Sequence, residues 1–169
     1  MIPLELVILN VDRRSYELWR QQFSTYEAVE ILNTKHEFSQ KLCTLDAILM
    51  SGQSAHERFG GFPRYGTSQI LSTCHEKRIV IPPWAITIPS LRMDSSLVGE
   101  EQMVEELFYQ TFKIIFSAIR NFNCSNQHTR ITSLGIDLGY VAVGKNQSLE
   151  KSKGVKRAYA AYKIIWKSE

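Results

Sequence analysis

Apolar positions along this chain alternate between two rhythms. Leu4–Val11 (Leu-Glu-Leu-Val-Ile-Leu-Asn-Val) is nearly unbroken and predicts a buried strand. Tyr16, Trp19 and Phe23 then recur at the i, i+3, i+7 spacing of an amphipathic helix, with Ser15 as its N-terminal cap. Ala28–Leu32 and Ala47–Met50 predict a second and a third strand. Thr67–Glu76 reads as a helix with Ile70, Leu71 and Cys74 inward; its free N–H groups would follow directly on Gly66 and help to bind an anion. Ile79-Val80-Ile81 and Trp84–Pro89 flank Pro82-Pro83, which predicts two short strands or one interrupted strand, because proline donates nothing to a central ladder. The clearest helix is Glu100–Phe122. Met103, Leu107, Ile114, Ala118 and Phe122 form one stripe, with Val104, Phe108, Ile115 and Ile119 beside it, and four glutamates crowd the positive end. Arg130–Leu134 predicts the last strand. A final helix over about Leu149–Trp166 carries Val155, Ala158, Tyr162 and Ile165 on one face, with Gly154 weakening its first turns.

Strands that alternate with helices indicate an α/β sheet covered on both faces. The 169 residues suit one domain with a sizeable core. Two stretches leave strand ends carrying glycine. The first is 51–66, with Gly52, Gly60-Gly61, Phe62-Pro63 and Gly66; the second is Gly135–Gly144. In open α/β sheets ligands bind beyond the carboxyl ends of strands, and glycine permits close backbone approach. If the two strands are neighbours, the two loops form opposite walls of one cleft suited to a diphosphate. An ordinary surface turn would also explain either stretch.

Charge and composition narrow the field. The formal net charge of +3 is too small to indicate nucleic acid by itself, although Lys145–Lys167 is locally basic. That segment also reads as a solvated helix face. Cys43, Cys74 and Cys124 are odd in number and widely spaced, and His36, His56, His75 and His128 show no ligand spacing. Neither a disulfide framework nor a zinc site is expected, nor any metal or cofactor. The start lacks a basic region followed by a long apolar one, and no apolar run reaches membrane length, so a cytoplasmic protein is expected.

The ordered set of segments resembles macro domains, in particular bacterial macro-domain-like proteins. It comprises Leu9-Asn-Val-Asp12 running to Trp19 and Phe23, then Asp46-Ala-Ile-Leu-Met-Ser-Gly-Gln-Ser54 with Gly60-Gly61, then Ile88-Pro-Ser-Leu-Arg-Met93, and finally Leu134-Gly-Ile-Asp-Leu-Gly139 before the last helix. The resemblance spans nearly the whole chain. It implies one domain, 1–169, built as a three-layer α-β-α sandwich with a mixed central sheet. It also implies binding of ADP-ribose or a related nucleotide diphosphate, with an ADP-ribosylated protein as a partner. Carried over by position, Ser51, Gly52, Gln53, Gly60, Gly61, Phe62 and Gly66 would lie along the distal ribose and diphosphate, and Gly135, Leu138, Gly139 and Tyr140 would close from the other side.

Three departures accompany the resemblance. Gln53 stands where active relatives carry a ribose-positioning Asn. Where the resemblance places an adenine-recognising Asp, near Lys35, the segment is Asn33-Thr-Lys-His-Glu37, with that carboxylate absent or shifted to Glu37, and Asp137 lies between the glycines of the second loop. Three readings follow: a nucleotide-binding module; a hydrolase of ADP-ribosyl derivatives with Gln53, His56 and Glu57 as candidates for activating water; and a macro-like fold used for protein or nucleic-acid contact through Arg58, Phe62, Arg64, Tyr65 and the basic last helix.

Overall fold

The computed structural model describes residues 3–62, 64–74, 81–91, 100–139 and 147–166, with side chains at all of these except 100–104 and 147–156. The elements in chain order are β1 (Glu5–Leu9), α1 (Arg13–Phe23), β2 (Val29–Leu32), α2 (Lys35–Leu42), β3 (Ala47–Ser51), α3 (Gly52–Phe59), β4 (Ile70–Ser72), β5 (Trp84–Ile88), α4 (Glu100–Ser125), β6 (Ser133–Asp137) and α5 (Gln147–Trp166). The strands form a six-stranded sheet in the order β2-β1-β6-β3-β5-β4. Every neighbouring pair is parallel except β4 and β5, so the sheet is mixed.

Alternation along the strands divides the helices between two faces. Leu6, Ile8, Ala47, Leu49, Ile86, Leu134 and Ile136 point into the main core with residues of α1, α4 and α5. Val7 and Leu9 point the other way, into a smaller core with Leu32, Phe38 and Leu45 around α2. Helix α3 packs on β3, β4 and β5. Parallel strands buried on both faces need apolar residues at successive positions, which is why Leu-Val-Ile-Leu (6–9) is continuous. The result is a three-layer α/β sandwich.

The main core is built round aromatic rings. Trp19 is fully buried, stacked on Phe23 at 5.9 Å and tilted against Phe112 at 6.2 Å. Tyr26, Tyr159 and Tyr162 complete the cluster. The Tyr26 and Tyr159 hydroxyls share a hydrogen bond of 2.6 Å, and the Tyr162 hydroxyl donates to the Leu4 carbonyl at 3.0 Å. Burial pushes the Tyr162 hydroxyl up to about 12 from its ordinary 10.0, aided by Tyr26. A group whose pKa is raised by folding stabilises the fold below its ordinary pKa and ceases to do so as pH climbs to the folded value. Stability measured by denaturant is therefore expected to fall between about pH 10 and 12, and Tyr162→Phe should flatten that fall.

Several elements differ from the sequence-based expectations. Helix α1 is capped by Asp12, whose carboxylate accepts from the Ser15 N–H; Ser15 itself is buried in the first turn, where its hydroxyl accepts from Asn10 Nδ2 at 2.7 Å. Helix α2 was not expected at all. Residues 52–59 are a helix, not a loop. The helix expected over Thr67–Glu76 is not formed: Ile70–Ser72 is instead the antiparallel edge strand β4, so no helix N-terminus follows Gly66. Strand β6 starts later than expected and extends to Asp137, which puts Gly135 within the strand. On α4 the most buried residues are Phe108, Phe112, Ile115, Phe116 and Ile119, so the stripe expected at the side is the central one. Of the expected α5 stripe, Ala158, Tyr162 and Ile165 are buried; Val155 lies outside the described side chains. Ile79 and Val80 lie outside the described residues.

At the amino end of the sheet, Asp46 ties β3 to β6. Its Oδ2 accepts from Thr132 N at 2.7 Å, Thr132 Oγ1 at 2.8 Å and Ser133 N at 3.2 Å, while Asp46 N donates to Ser133 Oγ at 2.8 Å.

Candidate functional site

The carboxyl edges of β1, β6, β3 and β5 lie on one rim because these strands are parallel. Strand β3 pairs with β5 along its whole length, from Ala47↔Trp84 to Ser51↔Ile88. Its pairing with β6 covers only Ala47↔Leu134 and Ile48↔Gly135. The two strands therefore part before their carboxyl ends. The helices that follow them also separate: α5 joins the main-core face, and α3 covers the opposite side of β3 and β5. Neighbouring parallel strands whose following helices leave for opposite faces open a crevice at that point.

One wall of the crevice is the first turn of α3. Ser51 caps it, its hydroxyl accepting from Ser54 N at 3.1 Å. The helix has no internal acceptor for the Gln53 N–H, which stands at the positive end of the helix; the Gly52 N–H falls in the β3–β5 ladder beside the Ile88 carbonyl, because Pro89 has no N–H to close the Ser51↔Ile88 pair. The other wall is the turn after β6. Leu138 N donates to Leu9 O at 3.0 Å, and Gly139 N donates to Asp137 Oδ1 at 2.8 Å. Beyond β1, Asn10 is buried and fully engaged, giving its amide N–H to Ser15 and accepting from Asp12 N at 3.2 Å. Val11 beside it is 56% exposed, and on the β5 side Phe62 and Tyr65 are 66% and 63% exposed. Tyr65 reaches this rim through a bridge to Ser90.

The glycines serve different purposes from those expected. Gly60 ends α3 in the left-handed conformation at φ 75°, the usual helix-terminating geometry. Gly66 has φ 69°, which a side chain would strain. A Cβ on Gly61 would lie 2.6 Å from Leu71 Cδ1 and 2.8 Å from Gln69 Oε1, so that residue is small to admit β4 and its approach. A Cβ on Gly135 would meet Leu42 Cδ2 at 2.9 Å and Leu45 Cδ1 at 3.0 Å; its smallness seats α2 on the sheet. Nor are the loop amides generally open. Gly60 N is bound to His56 O, Phe62 N to Gln69 Oε1 and Gly66 N to Ser90 O. These three loop amides are therefore occupied within the fold.

No protein-family model matches the chain, and no curated protein sequence matches it.

The three candidate water-activating residues all lie on α3 but do not converge. Gln53 Nε2 donates to Glu57 Oε1 at 3.1 Å, one turn along the same helix. The His56 ring is turned toward the far end, bound through Nδ1 to the Gly61 carbonyl and set against the Phe62 ring at 5.9 Å. Segment 33–37 begins α2: Thr34 is its cap, and Glu37 N donates to Thr34 Oγ1 at 3.4 Å. Tyr140 and Arg92 lie outside the described residues, as does most of the basic stretch 145–167 at side-chain level. Of its basic side chains that are described, Arg157 pairs with Glu106 at 2.8 Å over the Tyr109 ring, and Lys163 lies over Tyr159. No group of three or more metal-ligating side chains occurs among the described residues, and none of their helices is long and apolar enough to cross a membrane. The sequence reading missed Asn10, whose signal was an amide residue at the end of an apolar strand.

Proposed function

We propose that the crevice between the carboxyl ends of β6 and β3 binds a nucleotide diphosphate of the ADP-ribose type. The supporting observation is the early end of the β3–β6 ladder beside the first turn of α3, where the Gln53 N–H has no acceptor within the helix. A diphosphate spans the gap with its oxygens on that first turn, where the helix dipole and the Gln53 N–H favour negative charge. The Gln53 side chain, once released from Glu57, offers an amide to a ribose hydroxyl. Phe62 and Tyr65 supply apolar area on one flank and Val11 on the other; rings of this kind pack against a sugar or a base. An ADP-ribosylated protein would present the same group, so the partner of this module is a modified protein or the free nucleotide.

Calorimetric titration with ADP-ribose, NAD and ATP tests the reading. Heat with ADP-ribose is expected; no heat and no thermal shift with any of the three would end it. The Asp137 carboxylate stands on the wall opposite α3 and opposes an anionic guest. Asp137→Asn keeps the oxygen that accepts from Gly139 and removes the charge, so it should tighten ADP-ribose binding by about three- to tenfold, equivalent to roughly 0.7–1.4 kcal/mol.

Hydrolysis of an ADP-ribosyl bond has less support, because His56 is committed to the Gly61 carbonyl and Gln53 to Glu57. Release of ADP-ribose from a modified protein, abolished by Gln53→Ala, would bring it forward.

A further inference from the structure

The opposite, amino rim of the sheet carries a second hollow, of about 170 Å³, between the end of α4 and Trp166. We propose that it binds a small organic carboxylate. Arg120, Gln127 and Arg130 line it with Ile131, Cys124 and the Trp166 ring. Arg120 uses one N–H on the Ile165 carbonyl at 3.3 Å and keeps the rest. No carboxylate among the described residues pairs with Arg120 or Arg130, and none lines the hollow.

The second observation concerns the indole. Trp166 Nε1 is buried and has no acceptor among the described residues. An indole nitrogen is a donor only, and a buried donor without a partner is costly. Two guanidinium groups on one small space call for an oxyanion, and a planar carboxylate matches the arginine fork. The Trp166 ring on the border of the hollow adds apolar surface, which favours an organic acid over inorganic phosphate.

The frame is preorganised. Asn123 clasps the Ile131 backbone at both ends, donating to its carbonyl and accepting from its N–H, each at 2.8 Å. Thr132 and Trp166 also border a wider hollow of about 670 Å³ that contains Glu5 and Glu27. Those carboxylates repel an anion and confine the guest to the arginine side.

The Trp166 indole N–H is its own reporter. In the nitrogen-15-labelled full chain, its resonance is assigned by its loss in Trp166→Phe, then followed during titration with benzoate and, separately, with inorganic phosphate. A saturable shift with benzoate is expected, weakened at least about fivefold in Arg130→Ala, an exposed position whose change leaves the fold intact. Phosphate should bind more weakly than benzoate. The proposal is overturned by the absence of saturation with benzoate, by unchanged affinity in Arg130→Ala, or by phosphate binding as tightly as benzoate. None of these readouts depends on the opposite rim, so the nucleotide reading stands or falls separately.

Discussion

Replacing Trp19 with alanine is expected to lower the stability of the fold by about 3–5 kcal/mol. The ring is fully buried between Phe23 and Phe112, at the point where α1, α4 and the sheet meet. Truncation removes the largest buried side chain and leaves a cavity that rigid aromatic neighbours cannot fill. In a domain of this size each kcal/mol shifts the melting temperature by about 2–4 °C, so calorimetry should show a fall of roughly 6–20 °C. Trp19→Phe keeps most of the ring and should cost less than half as much. A loss below about 1 kcal/mol for the alanine variant would mean that the core is not organised round this residue.

If ADP-ribose binds at the proposed crevice, Gln53→Glu should weaken that binding by about ten- to a hundredfold, corresponding to about 1.4–2.8 kcal/mol. The substitution preserves shape and puts a carboxylate in the first turn of α3, where the proposed diphosphate rests. Charges about 5 Å apart repel by roughly 3 kcal/mol at an effective dielectric near 20, and salt reduces this. Folding should be nearly unaffected. A carboxylate near a helix start gains about 0.3–1 kcal/mol, while repulsion between the new carboxylate and Glu57, one turn along, costs about 0.2–0.5 kcal/mol. An unchanged affinity with an unchanged melting temperature would remove the start of α3 from the site.

The sequence reading succeeded where burial alone decides the pattern. Strand β1, strand β3 and the long helix α4 have enough consecutive or periodic apolar residues that no other arrangement hides them. It failed where an element is short or lightly buried. Helix α2 buries only Phe38 along its length, so periodicity did not reveal it; the signal was local, in Thr34-Lys-His-Glu37, the spacing of a capping box. Strand β4 has three residues at the sheet edge, and Ile70, Leu71 and Cys74 happen to match a helical stripe. Gly52 and Gly60 suggested one continuous loop, yet they bracket a helix, one following the Ser51 cap and the other ending the helix in the left-handed conformation. The crevice itself was half legible. Two glycine-bearing strand ends suggested a shared rim, but Gly61 and Gly135 are small for the sake of neighbouring side chains.

Strands β3 and β6 behave as the two tines of a fork with a clamped root. Asp46 holds them together below with four hydrogen bonds, while above Ile48 and Gly135 no ladder joins them. A change in the spacing of the tips would thus break no ladder bond between these strands, while the root stays tied.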